Sequence, residues 1–185
     1  FQDTDPTQYA ILERVFISGG LPTFLVGDPK QAIYSFRGAD IYSYLRAKRD
    51  VAEHHQLDTN WRSSDRLIHA VNVLFGNAEH QNPLYFPEIP FSPATGAPNK
   101  RLELSGDPNV KAALVCWQIA RNEPSKLLSK QNARQQAAQA TAGEIARLLT
   151  IPAKLGNNPL AASDIAVLVR THHEAEIIER SLQAA

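Results

Sequence analysis

The chain has 185 residues, of which 43% are hydrophobic and 21% are charged, a composition that predicts a folded globular protein with a sizeable core. Basic and acidic residues both number 19, so the net charge of +0 lacks the basic excess typical of a dedicated nucleic-acid-binding domain. No apolar run approaches the roughly 20 residues of a membrane span, and we expect a cytoplasmic location without membrane contact.

Capping residues mark the predicted helices. Asp5-Pro6-Thr7-Gln8 has the pattern of a capping box with proline at the first helical position, and Gly19-Gly20 predicts where that helix ends. Ser63 or Ser64 is expected to cap another helix. Helical spacing or composition predicts three further helices, at residues 41–49, 133–149 and 174–182.

Three apolar runs predict strands, at residues 23–26, 110–119 and 165–169, of which the first and third are expected to be buried. Their alternation with helices favours an α/β fold with a parallel sheet and flanking helices. Cys116 lies in the second run and is therefore expected to be a small buried hydrophobic residue. A shorter strand is predicted at residues 56–59, and a proline-rich insertion occupies about residues 80–109.

The turn after the first predicted strand combines a carboxylate, an ammonium group and an amide, contributed by Asp28, Lys30 and Gln31. In open α/β sheets, ligands bind beyond the carboxyl ends of the strands, so this cluster could position a phosphate or its attacking water. Two aromatic residues and an arginine follow the cluster. Stacking on unpaired bases contributes about 1–3 kcal/mol per base, which would allow DNA binding without a basic field. The alternative is that the aromatics are core residues and the cations are solvated.

A second polar and aromatic cluster follows the strand predicted at residues 56–59. Arg62 could present a fork of donors to a terminal phosphate while Trp61 stacks on a nucleobase. The alternative is a surface Arg–Asp pair beside a half-buried tryptophan. Neither His54-His55 nor His172-His173 is accompanied by a second pair of ligands at zinc-like spacing, so no metal site is predicted.

The segments GDPKQAIYSFRGAD and LDTNWRSS resemble motifs III and IV of the superfamily 1 DNA helicases of the UvrD, Rep and RecB type, and their spelling is most similar to the RecB branch. Residues 1–6 look like the tail of motif II, and residues 162–170 are similar to a strand of the second motor domain. The resemblance implies partial, RecA-like domains of the P-loop NTPase type. Residues 1–52 would end the first motor domain and residues 53–185 would begin the second.

The resemblance also implies roles for individual residues. Gln31 would sense the terminal phosphate of ATP, and Arg62 would contact that phosphate across the cleft, which makes these two the expected catalytic residues. Trp61 would stack on the adenine. The expected single-strand-binding residues are Tyr34, Phe36 and Arg37.

The family implied is an ATP- and Mg²⁺-dependent 3′-to-5′ DNA helicase or translocase. In its RecB-like form it is part of a helicase–nuclease that acts in double-strand-break repair by homologous recombination. Single- and double-stranded DNA and RecC- and RecD-like subunits are then the expected partners. The chain contains no G-x-x-x-x-G-K-[ST] loop, no Asp-Glu pair before Phe1 and no nuclease domain, so alone it is expected to be inactive and to bind no nucleotide tightly. The alternatives are a UvrD- or Rep-like repair helicase and a non-catalytic module that binds single strands or a partner protein.

Overall fold

The computed structural model of the chain describes residues 1–33, 40–76, 83–84, 86–98, 103–109, 112–119 and 127–185. Two compact units divide the chain, the first made of residues 1–59 and 72–94 and the second of residues 60–71 and 95–185. The helices of the described residues are α1 (Pro6–Leu12), α2 (Ile41–Asp50), α3 (Asp65–Phe75), α4 (Lys130–Thr150) and α5 (His172–Gln183). The strands are β1 (Thr59–Asn60), β2 (Thr95–Gly96), β3 (Leu104–Ser105), β4 (Lys154–Leu155) and β5 (Asn158–Pro159). This mixture of helices and strands confirms the predicted α/β class.

The first helix begins where its capping box predicts, and the helical segment that continues it closes at the predicted Gly19-Gly20. The backbone nitrogens of Thr7 and Gln8 both donate to Asp5 Oδ1 at 2.8 Å, and Gln8 Oε1 accepts from the Asp5 nitrogen at 3.2 Å. After α1 the chain continues through one turn of π-helix, Glu13–Ile17. Gly20, with φ of 69°, then takes the left-handed conformation that closes helices. The predicted capping box is therefore confirmed.

Tyr9 is the centre of the packing between α1 and α2. Its side chain is 1% exposed, and its hydroxyl donates to Asp50 Oδ2 at 2.6 Å. The guanidinium of Arg46 lies over the tyrosine ring at 5.5 Å and bonds to Glu13 Oε2 at 2.8 Å. The ring of Phe1 meets the same tyrosine edge-on, with ring centres 5.7 Å apart. These contacts hold the start of the chain against the two helices.

Small side chains allow α4 and α5 to pack closely in the second unit. Ala138 and Ala142 on α4 and Ser181 on α5 are buried. Arg134 on α4 forms an ion pair with Glu174 on α5 at 2.9 Å. The predicted helices at residues 133–149 and 174–182 are confirmed, although they begin three and two residues earlier than predicted and each ends one residue later.

Strands β3, β4 and β5 form a small antiparallel sheet in that order. In the sequence, β3 precedes α4, and β4 and β5 follow it. Gly156, with φ of 62°, makes the two-residue turn between β4 and β5. Gly106, with φ of 80°, follows β3, and a Cβ there would collide with the carbonyl oxygen of Pro152. Only glycine therefore fits this close approach of two backbones.

The strands predicted at residues 23–26, 110–119 and 165–169 do not form in the part of the chain that the structure describes, and none of their described residues is buried. Phe24 is 91% exposed and Leu168 is 95% exposed. Cys116 is also exposed, so its predicted burial is wrong, and residues 110–111 of its run lie outside the described residues. A parallel strand is buried only when neighbouring strands and helices cover both of its faces. The described residues provide no such neighbours for these runs, and their three-stranded sheet is antiparallel.

The bounds of β1 differ from the predicted strand at residues 56–59. The strand forms at Thr59–Asn60, three residues after the predicted start, and pairs with β2. Ser64 caps α3, because its Oγ accepts from the Leu67 nitrogen at 3.4 Å, which confirms one of the two predicted caps. The proline-rich stretch includes β2 and β3 among its described residues.

Candidate functional site

The turn after residue 26 is organised by the carboxylate of Asp28. Its Oδ1 accepts from the Lys30 backbone nitrogen at 3.0 Å and lies 2.8 Å from Lys30 Nζ. Its Oδ2 accepts from Gln31 Nε2 at 3.0 Å. Partial burial raises the pKa of the Asp28 carboxyl, but the hydrogen bonds from Lys30 and Gln31 outweigh burial and hold the pKa below its ordinary value. The carboxylate is therefore ionised at neutral pH and orients both neighbouring side chains.

The first residues of the chain lie against this turn. The backbone nitrogen of Phe1 donates to the Val26 carbonyl at 2.7 Å, and the Asp28 nitrogen donates to Gln2 Oε1 at 3.3 Å. A Cβ at Gly27 would lie 3.0 Å from the Gln2 nitrogen and 3.3 Å from Phe1 Cβ. Glycine at position 27 thus permits the close approach of two segments that the sequence resemblance assigns to different motifs.

The second cluster is held by the side chain of Asn60. Its Oδ1 accepts from the backbone nitrogens of Arg62, at 2.9 Å, and Ser63, at 2.8 Å. This is the Asx-turn pattern, in which a side chain replaces a backbone acceptor. The Asn60 carbonyl accepts from the Ala97 nitrogen at 3.2 Å, which anchors the turn to the strand pair. The turn consequently fixes the backbone from which Trp61 and Arg62 project.

Both side chains at the tip of this turn face solvent. The indole of Trp61 is 67% exposed, and Arg62 is exposed and makes no ion pair with any other described residue. The surface Arg–Asp pair beside a half-buried tryptophan is therefore absent from the described part of the chain. Two consecutive residues thus present an exposed aromatic face and a guanidinium that forms no ion pair with the described residues, a combination that suits a nucleobase and a phosphate.

The predicted site residues are distributed over both compact units. Gln31 belongs to the first unit, where it contacts Asp28, while Trp61 and Arg62 are neighbours in the second. Tyr34, Phe36 and Arg37 lie outside the described residues.

Two supporting residues, Gln2 and Asn60, are not among the predicted site residues. Gln2 contacts the turn across 26 positions of sequence, and no local spacing signals such a contact. Asn60 does carry a local signal, since an asparagine side chain favours a hydrogen bond to the backbone two residues later, which makes an Asx-turn.

Among the described residues, no group of three or more His, Cys, Asp and Glu side chains is arranged to hold a metal ion. None of the described helices has the length and apolar character needed to cross a membrane.

The chain is similar over almost its whole length to RecB subunits of several bacteria. The chain is 38% identical to the RecBCD enzyme subunit RecB of Buchnera aphidicola subsp. Schizaphis graminum, in an alignment that covers 99% of this chain and 16% of that protein. The corresponding subunit of Escherichia coli is 37% identical over 98% of this chain and 16% of its own length. That of Mycolicibacterium smegmatis is 34% identical over 100% of this chain and 16% of its own length. The resemblance to RecB-type proteins is confirmed, and the chain spans about 16% of the length of these relatives.

Two family matches divide the chain between them. Residues 1–52 match the UvrD/REP helicase N-terminal domain, and residues 55–185 match the UvrD-like helicase C-terminal domain. Domains of the second kind have the RecA-like α/β fold. Because this second match covers well over half of the residues, the chain belongs to the UvrD-like helicase family.

Proposed function

We propose that this chain is part of the motor of a RecB-like, ATP-dependent DNA helicase that translocates 3′ to 5′. The similarity to RecB subunits over almost the whole chain is the observation that carries the proposal. Residues 1–52 would end the first RecA-like motor domain and residues 53–185 would begin the second, with the proline-rich insertion at about residues 80–109. The family matches at residues 1–52 and 55–185 support this division.

The side chains of the second cluster fit a nucleoside triphosphate. Arg62, exposed and without an ionic partner among the described residues, would donate to the terminal phosphate, and Trp61 would stack on the adenine. The two residues are consecutive, and hydrogen bonds to Asn60 fix the backbone of their turn, so both side chains would contact one nucleotide. UvrD-like helicases generally use ATP and Mg²⁺, and hydrolysis of ATP supplies the free energy for movement along DNA.

Gln31 would complete the phosphate contacts from the first motor domain. One hydrogen of its Nε2 is committed to Asp28, which leaves the second hydrogen to donate to a phosphate oxygen and Oε1 to accept from a water. Gln31 and Arg62 would therefore be the catalytic residues of the chain. Closure of the cleft between two motor domains would bring such groups to one phosphate.

DNA would be bound by the segment that follows Gln31. Tyr34 and Phe36 would stack on the bases of a single strand, and Arg37 would link that contact to the nucleotide site. Stacking at about 1–3 kcal/mol per base is enough to bind a strand although the chain has a net charge of +0. Three to six residues separate Gln31 from these three, so a change at the phosphate would be transmitted over a short distance to the strand.

The rest of the machinery would come from the remainder of a protein of the relatives' length. The 185 residues contain no G-x-x-x-x-G-K-[ST] loop for the phosphates. We propose that the intact protein supplies this loop, an Asp-Glu pair for Mg²⁺ and a nuclease domain, and that it acts with RecC- and RecD-like subunits on broken double-stranded DNA in homologous recombination. The segment alone would hydrolyse no ATP and would unwind or cut no DNA.

Strand displacement by the intact protein tests this proposal. A duplex with a 3′ single-stranded tail should be unwound in the presence of ATP and Mg²⁺, and a duplex with only a 5′ tail should be unwound much more slowly. The segment of residues 1–185 serves as the control and should show no ATP hydrolysis with or without single-stranded DNA. An intact protein that binds single strands but neither hydrolyses ATP nor displaces a strand would instead be a binding module.

A further inference from the structure

The carboxylate of Asp28 has a separate partner on each of its two oxygens. Oδ1 serves the local turn, where it accepts from the Lys30 backbone nitrogen and pairs with the Lys30 ammonium group. Oδ2 accepts from the side-chain amide of Gln31 at 3.0 Å. Capping of the short helical turn requires only the first oxygen. The second oxygen therefore acts on the orientation of Gln31.

The chemistry of the two groups allows only one orientation of the Gln31 amide. An ionised carboxylate accepts hydrogen bonds and donates none, so it faces Nε2 and repels Oε1. With the amide turned over, two acceptor oxygens would lie about 3 Å apart without a hydrogen between them. Asp28 consequently sets which atom of Gln31 is left to meet a ligand.

Asp28 is itself fixed from outside the turn. Its backbone nitrogen donates to Gln2 Oε1 at 3.3 Å, and Gly27 has no side chain to separate the two segments. A continuous line of hydrogen bonds thus runs from Gln2 through Asp28 to Gln31. The first residues of the chain and the phosphate-sensing amide are connected by this line.

We propose that Asp28 is a positioning residue that orients the Gln31 amide for its contact with the terminal phosphate, and that Gln2 holds Asp28 in place. This inference rests on the proposed function, since it needs Gln31 to act on ATP. Asp28 itself touches no substrate in this account. It acts through Gln31, so its loss should lower kcat for ATP and leave KM nearly unchanged.

A double-mutant cycle in the intact protein tests the inference, with single-strand-stimulated ATP hydrolysis as the readout. Gln31→Ala and Asp28→Ala should each lower kcat by about ten-fold or more, the effect expected for a hydrogen bond to a charged group. The double variant should fall no more than about two-fold below Gln31→Ala, because Asp28 has nothing left to orient. Losses that multiply in the double variant would show that the two residues act independently and would overturn the inference.

A conservative variant separates orientation from folding. Asp28→Asn keeps the size of the side chain, but its amide can accept from Nε2 or donate to Oε1, so both orientations of Gln31 become available. Its kcat should therefore lie between those of the unaltered protein and Asp28→Ala, and a kcat equal to that of the unaltered protein would overturn the inference.

Matched controls show which proposal has failed if the results differ. Glu53→Ala removes a carboxylate that is 87% exposed and should leave kcat and KM unchanged. If Gln31→Ala has no effect on kcat, the proposed role of Gln31 is wrong and the inference about Asp28 falls with it. If Gln31→Ala lowers kcat but Asp28→Ala does not, the proposed function stands and only the inference is overturned.

Discussion

The guanidinium of Arg147 on α4 donates two hydrogen bonds, of 3.0 and 2.5 Å, to the carboxylate of Asp107, which follows β3. The side chain of Asp107 is 3% exposed, and its Oδ1 also accepts from the Asn109 backbone nitrogen at 3.0 Å. Arg147 also donates to both oxygens of Glu144, at 2.7 and 2.6 Å. Hydrogen bonds to Glu144 and Asp107 raise the pKa of Arg147, and the bond from Arg147 lowers the pKa of Glu144. The three residues join the small sheet to the helix.

Removing the charge of Arg147 alone should destabilise the β3-β4-β5 sheet more than removing the charges of both Arg147 and Asp107. Arg147→Ala leaves a buried carboxylate without its guanidinium, whereas Asp107→Asn combined with Arg147→Ala leaves no buried charge. Hydrogen exchange of the backbone amides in residues 103–109 and 151–160 measures the effect. Exchange should be fastest in Arg147→Ala and slower in the double variant. Equal exchange in the two variants would contradict a dominant role for the buried charge.

Tyr9→Phe should weaken the packing of α1 on α2. The change removes the hydrogen bond to Asp50 from a side chain that is 1% exposed, at a cost of about 1 kcal/mol. For a chain of this length, that cost lowers the midpoint of thermal unfolding by about 2–4 °C, which circular dichroism would detect. Tyr42→Phe is the control, because Tyr42 is 65% exposed, and its midpoint should not change. An unaltered midpoint in the 185-residue Tyr9→Phe chain would contradict a stabilising hydrogen bond from Tyr9 to Asp50.

The same tyrosine predicts a dependence on alkaline pH. Burial, followed by the hydrogen bond to Asp50, raises the pKa of the Tyr9 hydroxyl above its ordinary value of about 10. A raised folded-state pKa adds stability that is complete below the unfolded pKa and is lost as pH rises above it. The thermal midpoint of the unaltered chain should therefore fall more between pH 8 and about pH 11 than that of Tyr9→Phe. Parallel curves for the two proteins would exclude Tyr9 as the group responsible.

Sequence patterns identify the helices well because their capping signals are local. Asp5 with Gln8 and Ser64 with the turn after it are each satisfied within three or four residues. The apolar run at residues 23–26 is different, because its burial depends on neighbours distant in sequence that the described residues do not include. The contact of Gln2 with Asp28 was beyond prediction for the same reason, since it joins residues 26 positions apart.

Resemblance to a family identifies more of the candidate site than residue chemistry does. The chemistry of Trp61 and Arg62 is equally consistent with a surface ion pair and with a nucleotide contact, and only the family motif favours the second. The structure adds the exposure of both side chains and the Asn60 turn that supports them. These details depend on hydrogen bonds of side chains to the backbone, which residue types alone indicate only weakly.

Asn60→Ala should raise KM for ATP in the intact protein. The variant removes the acceptor for the backbone nitrogens of Arg62 and Ser63, so the turn that carries Trp61 becomes less ordered. If the lost hydrogen bonds weaken nucleotide binding by about 1 kcal/mol, KM should rise about five-fold. Asn60→Asp retains an acceptor oxygen and should keep KM within about two-fold. A KM unaffected by Asn60→Ala would show that the turn does not position the nucleotide contacts.

Trp61→Ala should weaken nucleotide binding, and Trp61→Phe should restore most of it. The exposed indole offers an aromatic face for the adenine, and phenylalanine keeps such a face with less area. Stacking of about 1–3 kcal/mol corresponds to a loss of about five- to 150-fold in affinity. Titration of the intact protein with a fluorescent ADP analogue measures the affinity. Equal binding by Trp61→Ala and the unaltered protein would remove the residue from the nucleotide site.

In the proposed motor, the exposed guanidinium of Arg62 acts on the terminal phosphate of ATP. The decisive measurement of this role is single-strand-stimulated ATP hydrolysis by the intact protein carrying Arg62→Ala, with Arg49→Ala, which removes another exposed arginine, as the control. Arg62→Ala should lower kcat by about 100-fold or more, the range for removal of one donor to developing charge, and Arg49→Ala should leave kcat unchanged. An unchanged kcat in Arg62→Ala would contradict the motor assignment of this residue.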